Sequence, residues 1–397
     1  MLHFFSPIEI LGHVERLKVI IVGAGMGGLT AAIALRQAGY VVEVFDRVPA
    51  LMPAGAGVSL WSNGVKVLDR LGLGAEIARV GGRMQRICYR SQSGDLLTDF
   101  SLEPLLEAVG ERPYPVTRTD LQRLLLQGLG QAVQLGAECL GVEQDEHGAT
   151  ALFSGGRRAL GDLVVAADGT HSLLREHVLG SKRARRYVGY VNWNGLVPTR
   201  AGLPAADTWT TYVGEHKRVA LMPVGGERFY FFFDVPLPES AVPAASLRDE
   251  LRGHFAGWAA PVQTLIDRLD PALTSRIPIH DVDPLPQLVR GRVALLGDAA
   301  HSSPPDLGQG GCQALEDAWV LAQQLLTNNL GVPDALRRYE QARQARTAEI
   351  VLRARKRSEM THGHDPSATQ AWYAELARED GSKILGGISK TILGGPL

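Results

Sequence analysis

The stretch Lys18-Val19-Ile20-Ile21-Val22-Gly23-Ala24-Gly25-Met26-Gly27-Gly28-Leu29, completed by Val41-Val42-Glu43-Val44-Phe45-Asp46, decides how the rest of the chain is read. A short β-branched run without a polar break is a buried strand. Glycines follow it at once, and Leu29–Ala38 then reads as a helix that Gly39 ends. Val41–Phe45 is a second strand, closed by Asp46. Such a strand–helix–strand unit opens a parallel α/β sheet. Gly23, Gly25 and Gly28 fit G-x-G-x-x-G: the first permits the tight turn, the second lets a pyrophosphate approach the backbone, the third lets helix and strand pack closely. The helix N-terminus offers free N–H groups to phosphates. Asp46 sits where a carboxylate accepts ribose hydroxyls. The motif stands between strand and helix and has its acid, so it implies a dinucleotide, without saying which one.

The chain has 397 residues, more than one hydrophobic core usually serves, so two domains are expected. An apolar fraction of 45% and a charged fraction of 21% are ordinary for a globular protein. A formal net charge of −1 gives no global field toward nucleic acid or an acidic membrane. Cys88, Cys139 and Cys312 are widely spaced and odd in number, which makes neither a disulfide framework nor a metal-ligand set and points to a reducing, cytoplasmic setting. No apolar run approaches the roughly 18 residues of a membrane span. Met1–Arg16 lacks signal-peptide features and reads as a poorly ordered extension.

Further along, Thr119–Gln134 reads as an amphipathic helix capped by Thr119 or Asp120. Leu163–Ala167 and Val293–Leu296 are short apolar strands, each leading to an aspartate. Between about Tyr187 and Ile279 the pattern changes to alternating, aromatic-rich strands, Val191–Val197, Thr208–Val213, Arg218–Val224 and Arg228–Val235, which reads as an antiparallel sheet inserted into the α/β domain. The tail from Pro333 onward is helical. The basic run Arg353-Ala354-Arg355-Lys356-Arg357 reads as a solvated face or a subunit contact rather than a nucleic-acid site, so a homo-oligomer is left open.

Two segments narrow the dinucleotide. Asp168-Gly169-Thr170-His171-Ser172-Leu173-Leu174-Arg175 follows one strand, and Gly297-Asp298-Ala299-Ala300-His301, leading to Pro304-Pro305 and Gly308-Gln309-Gly310-Gly311, follows another. These resemble the Asp-Gly and Gly-Asp motifs of the aromatic-ring flavoprotein hydroxylases, the group containing p-hydroxybenzoate hydroxylase. The resemblance implies FAD, with Asp298 on its ribityl chain. It also implies cofactor contacts from Asp168, from Arg47, Ser59 and Arg118, and from Gly308, Gln309, Gly310, Gly311 and Cys312. A helix from Cys312 to Leu326 has an apolar stripe, and its N-terminus would stabilise negative charge on reduced flavin. His301 tempts as a base but reads as packing beside this loop. No ligand spacing suggests a metal. There is no second glycine fingerprint for a nicotinamide, which suits a reductant that docks transiently.

On the inserted sheet, Asn192 and Asn194 share a face, Arg218 shares one with Ala220 and Met222, and Tyr230 shares one with Phe232. Asn, Arg, Tyr and Phe suit a flat, polar, anionic aromatic. Pattern alone does not choose them, because aromatic strands are more often core than site. The stretches YVNWNGLV, WTTYVGEHKRVALMPV, RFYFFFDVPLP, RIPIHDVDPL and ARKRSEMTHGHD are similar to the FAD-dependent urate hydroxylase family of bacterial purine catabolism, from Leu17 onward.

That resemblance implies an FAD-binding Rossmann-like α/β domain of the p-hydroxybenzoate hydroxylase type, formed by residues 17–76, 115–187 and 285–332. It implies a substrate domain from residues 77–114 and 188–284, an extension at 1–16 and a helical region at 333–397. It further implies tightly bound FAD, NADH and O2, and hydroxylation of urate at C5 to 5-hydroxyisourate through a flavin C4a-hydroperoxide. Urate would be held by Asn192, by Arg218 and by Tyr230 with the neighbouring Phe231 and Phe232, Arg218 neutralising the anion and Tyr230 orienting the ring as the two catalytic residues. No general base is nominated. Rival expectations are a hydroxylase of another small aromatic acid, such as a salicylate-like compound, and a flavin-binding redox sensor without turnover.

Overall fold

Residues 17–50, 57–327, 331–363 and 365–397 are described by the structure, a computed structural model. The Met1–Arg16 extension lies outside them. Lys18–Val22 pairs in parallel with Val41–Phe45 on one side and Leu163–Ala166 on the other, and Leu163–Ala166 pairs in parallel with Val293–Leu295. Val289–Arg290 adds an antiparallel edge. The apolar strands are buried on both faces, with Val19, Ile20, Ile21 and Leu163–Ala166 wholly inaccessible. The four parallel strands end on the same side, so Gly23, Asp46, Asp168 and Gly297-Asp298 converge at their carboxyl ends, where open α/β sheets hold ligands. Helix Met26–Gln37 packs on helix Gly310–Leu326. Gly27 allows the approach, since a Cβ there would lie 2.5 Å from Leu296 Cδ2.

A seven-stranded sheet runs in the order Ser275–Asp281, Arg186–Pro198, Arg228–Pro236, Lys217–Val224, Thr208–Gly214, Arg86–Ser91, Leu96–Ser101. The expectation of an antiparallel sheet needs one correction: Thr208–Gly214 runs parallel to Arg86–Ser91. Parallel neighbours need a long crossover, and the chain between them, which builds much of the other lobe, supplies it. Val191, Trp193, Phe229, Phe231, Phe233 and Val235 fill one face beneath helices Leu247–His254 and Ala260–Arg268. Each such side chain contributes about 1.5–3 kcal/mol on burial. The period of two then turns Asn192, Asn194, Tyr230, Phe232 and Asp234 to the other face. Register places Asn192, Asp234 and Arg218 side by side on three neighbouring strands.

Three local expectations change. The helix expected over Thr119–Gln134 runs Arg118–Leu129; Thr117 caps it by accepting from the Asp120 N–H at 3.0 Å, and Gly130 in the left-handed region stops it. Gln134 is instead extended, its backbone bonded to Val44 and Asp46. The helix expected from Cys312 starts at Gly310. The basic run is more than a solvated face: its arginines are paired within the chain, while Lys356 is exposed. Arg355 pairs with Asp281 at 2.6 Å and Asp283 at 2.8 Å, Arg357 lies 4.3 Å from the centre of the Trp372 ring, and Arg353 donates to Thr391 Oγ1. These arginines fasten the long helix Val332–His362 to the sheet and to the helices that follow it. Among the described residues no helix is long and apolar enough to cross a membrane, and no cluster of three potential metal ligands occurs.

Candidate active site

The glycine turn is built by steric necessity. Gly23 has φ +109°, and a Cβ on it would sit 2.2 Å from the Ala167 carbonyl oxygen. A Cβ on Gly28 would sit 2.0 Å from the Gly23 oxygen. At Gly25 nothing lies within 4 Å of the Cβ position, and this residue lines a cavity of about 360 Å³. Gly25 is the N-cap of helix Met26–Gln37 and provides no side-chain cap. The first N–H groups of that helix therefore face the cavity wall without an intrahelical acceptor.

On the opposite wall, Gly297 (φ 62°, ψ −138°) turns the chain so that Asp298 lines the cavity. The Asp298 carboxylate is exposed and, among the described residues, forms no hydrogen bond with protein. Gly308, Gly310 and Gly311 line the same cavity, and helix Gly310–Leu326 starts there, again without a side-chain cap. Two helix N-termini, a bare glycine surface and a free carboxylate suit a diphosphate, a polyol and an anionic ring system.

The remaining expected cofactor residues divide in two. Ser59 and Arg118 line the cavity. Asp46, Arg47, Asp168, Gln309 and Cys312 do not, and most have protein partners of their own. Asp46 accepts from Ala24 N at 2.7 Å and Val48 N at 3.0 Å. Asp168 accepts from the N–H groups of Leu173 and Leu174, and burial raises its pKa above the usual carboxylate range. Gln309 bonds Asn63, and the Cys312 sulfur accepts from Trp61 N. Burial pushes the Cys312 thiol up to about 12. Arg47 is exposed.

His301 is buried and pairs through Nε2 with Asp317 Oδ2 at 2.6 Å. Asp317 also accepts from Gly297 N at 2.9 Å and Arg343 Nε at 2.6 Å. Arg343 and Arg346 share Glu316. This buried network ties the Gly297-Asp298 turn to two helices.

The same cavity continues onto the inserted sheet, where Asn192, Arg218, Tyr230 and Phe232 line it together with Trp209 and Asp306. Phe231, also expected there, points into the opposite core and does not line the cavity. Arg218 is 8% exposed and not a lone cation. Its Nε donates to Asp234 Oδ2 at 2.8 Å and its Nη2 to Asp306 Oδ1 at 3.1 Å. Burial works to lower its pKa, but the charges of Asp234 and Asp306 raise it above the ordinary value. Asp234 is correspondingly lowered: its burial, which alone would raise it, is outweighed by Arg218, His362 and Asn192. Asn194 donates to Asn192 at 2.6 Å, Asn192 donates to Asp234 at 2.6 Å, and Tyr190 donates to Asp306 at 2.8 Å. The Arg218 guanidinium lies 5.1 Å from the Phe232 ring centre. Burial, reinforced by the Asp234 charge, raises the Tyr230 phenol, which stays protonated. Gly57 lets Tyr230 take its place, since a Cβ there would lie 2.4 Å from the tyrosine Cγ.

Sequence reasoning missed Asp234, Asp306, His362 and Trp209. Asp234 had a signal: it follows Tyr230 and Phe232 at the same two-residue period. Asp306 lies in the Pro304–Gly311 loop without a pattern of its own, and His362 carries none.

A glycine cradle at the carboxyl ends of a parallel sheet, a free aspartate after the last of those strands and a polar sheet face closing one cavity define a flavin-dependent class. The chain matches the FAD binding domain family over residues 16–354 and belongs to it. It is 52% identical over 384 residues to an FAD-dependent urate hydroxylase of Klebsiella pneumoniae, a match spanning 96% of this chain and 100% of the relative. An FAD-dependent urate hydroxylase of Mycolicibacterium vanbaalenii is 50% identical, over 96% and 98% of the two chains. Among solved structures, K. pneumoniae HpxO complexed with FAD and uric acid is similar, with a TM-score of 0.94, 50% identity and coverage of 98% and 100%.

Proposed function

We propose that this chain is an FAD-dependent monooxygenase that hydroxylates urate at C5 to 5-hydroxyisourate, with NADH as reductant and O2 as co-substrate, in purine catabolism. The observation that carries the reading is the single cavity, about 360 Å³, joining the glycine cradle and Asp298 to Asn192, Arg218 and Tyr230. That volume lies in the range of small-molecule sites. Relatives that share half of the sequence over 96% of this chain and bear this activity in their names support the substrate.

In this reading Gly25, Gly28, Gly310 and Gly311 admit the cofactor, and Asp298 accepts from its polyol. Bound FAD supplies the redox and oxygen chemistry that no side chain provides. The protein's part is pose, charge and dryness. Arg218 Nη1 has no protein acceptor among the described residues and is free for an anionic oxygen or nitrogen. The second amide hydrogen of Asn192 and the Tyr230 hydroxyl complete the polar frame. Phe232, Trp209, Pro304 and Pro305 are the apolar walls that exclude water. Urate arrives as an anion near neutral pH, so no strong base is required to ionise it. Three unpaired cysteines fit a reducing cytoplasmic setting.

The test is NADH consumption by the holoenzyme with urate, xanthine and salicylate in turn, with mass analysis of the product. Urate-stimulated oxidation yielding urate plus one oxygen atom is expected. Stimulation by salicylate alone would assign the site to another aromatic acid. No stimulation by any of the three would make the chain a flavin-binding module without turnover.

A further inference from the structure

The Arg218 site contains a charge imbalance. Asp234 and Asp306 both bond Arg218 and both have fully buried side chains, which leaves the trio with one negative charge in excess. An anionic substrate brought to that guanidinium would meet a net negative surface. The residue that can correct this is His362, which is 4% exposed and closes the long helix Val332–His362.

His362 Nε2 lies 3.7 Å from Asp234 Oδ2 and 3.9 Å from Asp306 Oδ1 and, among the described residues, has no hydrogen-bond partner. Its Nδ1 lies 2.9 Å from the His216 carbonyl oxygen. A carbonyl only accepts, so Nδ1 carries a hydrogen. A neutral ring would then aim the bare Nε2 lone pair at two buried carboxylates. A proton on Nε2 turns this repulsion into attraction. The ring stacks on Tyr190, with centroids 4.3 Å apart, and stands at a helix C-terminus, where a cation is favoured. The groups facing it are Asp234 and Asp306, with Arg218 beyond them, the Tyr190 ring, and the His216 carbonyl from the turn held by Thr369.

We propose that His362 is an imidazolium that serves as second counter-ion to Asp234 and Asp306, freeing the Arg218 charge for the anionic substrate. It is a positioning residue that acts through Arg218. The inference rests on the urate reading for its ligand but not for its charge state, and the experiment separates the two. In substrate-free holoenzyme with 15N-labelled histidine, near neutral pH, the resonances that vanish in His362→Gln should be those of a ring protonated on both nitrogens. Resonances of a neutral ring would overturn the proposal, whatever the substrate.

Urate affinity near neutral pH, followed by perturbation of flavin absorbance, should be about tenfold or more weaker in His362→Gln, which keeps a donor but not the charge, with KM rising more than kcat falls. If the variant loses FAD, the histidine spectrum still decides. Unchanged urate affinity in the glutamine variant would overturn the proposal.

Discussion

Asp317 is a carboxylate that the expected chemistry does not touch, and its loss should still strip the enzyme of flavin. In Asp317→Asn the shape is kept and the charge removed. Three donors converge on the native carboxylate: Arg343 Nε at 2.6 Å, His301 Nε2 at 2.6 Å and Gly297 N at 2.9 Å. Arg343 and Asp317 are at most 1% exposed, so water cannot replace the lost partner. Breaking a buried pair from one side costs about 3–5 kcal/mol. Unfolding entropy of about 2.1 cal/mol/K per residue, over 397 residues, gives about 0.8 kcal/mol/K and hence a Tm lower by about 4–6 °C.

The effect should not be evenly spread. Gly297 is the residue that turns Asp298 into the cavity, so FAD affinity should weaken by more than about tenfold. There is also a pH signature. Burial would raise the Asp317 pKa, but His301 and Arg343 outweigh it and hold it well below the usual carboxylate range. A depressed folded-state pKa contributes stability that is present above the unfolded value, near 3.9, and is lost as pH falls through the folded one. The gap in Tm between wild type and variant should therefore be full at neutral pH and narrow only below about pH 4. Thermal scans of holoenzyme by flavin fluorescence, with FAD titration of apoprotein, measure both. A Tm change under about 1 °C with unaltered FAD affinity would refute the claim that this network holds the turn.

Asp298→Ala should fold, by circular dichroism, yet lose FAD on purification; a fully yellow variant, with about one flavin per chain, would remove Asp298 from the cofactor site. Arg218→Gln should keep FAD, raise the urate KM about tenfold or more and release more hydrogen peroxide per NADH oxidised; unchanged urate kinetics and coupling would exclude Arg218 from the substrate site. Cys312, its thiol pushed up to about 12 by burial, and Cys139, raised to about 11, should resist iodoacetamide at about pH 8 in the folded holoenzyme and react in urea. Rapid labelling of folded Cys312 would contradict its packing against Trp61.

What could be read in the sequence was what short-range periodicity encodes. Val19–Val22 and Leu163–Ala166 announce buried strands because both faces of a parallel sheet are covered; of the glycines that follow the first strand, Gly28 is demanded by Gly23 in the same turn, whereas Gly23 is demanded by Ala167 at the end of the neighbouring strand. The alternation of Tyr230, Phe232 and Asp234 puts the three on one face, because a strand cannot turn consecutive side chains to the same side, but it does not say that this face is the site. Helix ends were less legible: Thr117 rather than Thr119 caps, since a cap depends on one backbone conformation and not on a pattern.

The electrostatics were not legible at all. Arg218 reads in sequence as a free cation awaiting an anion. In the fold it meets Asp234, 16 residues on, and Asp306, 88 residues on, while His362 reaches the same pair from the end of a helix anchored by Arg355 on Asp281. A residue's charge can be read from its own letter, but the charge it presents to a ligand is a sum over neighbours that only topology brings together. Arg218 can still be the urate-binding cation, but on condition that a second positive charge shares its two carboxylates, and within contact distance of both the structure offers His362.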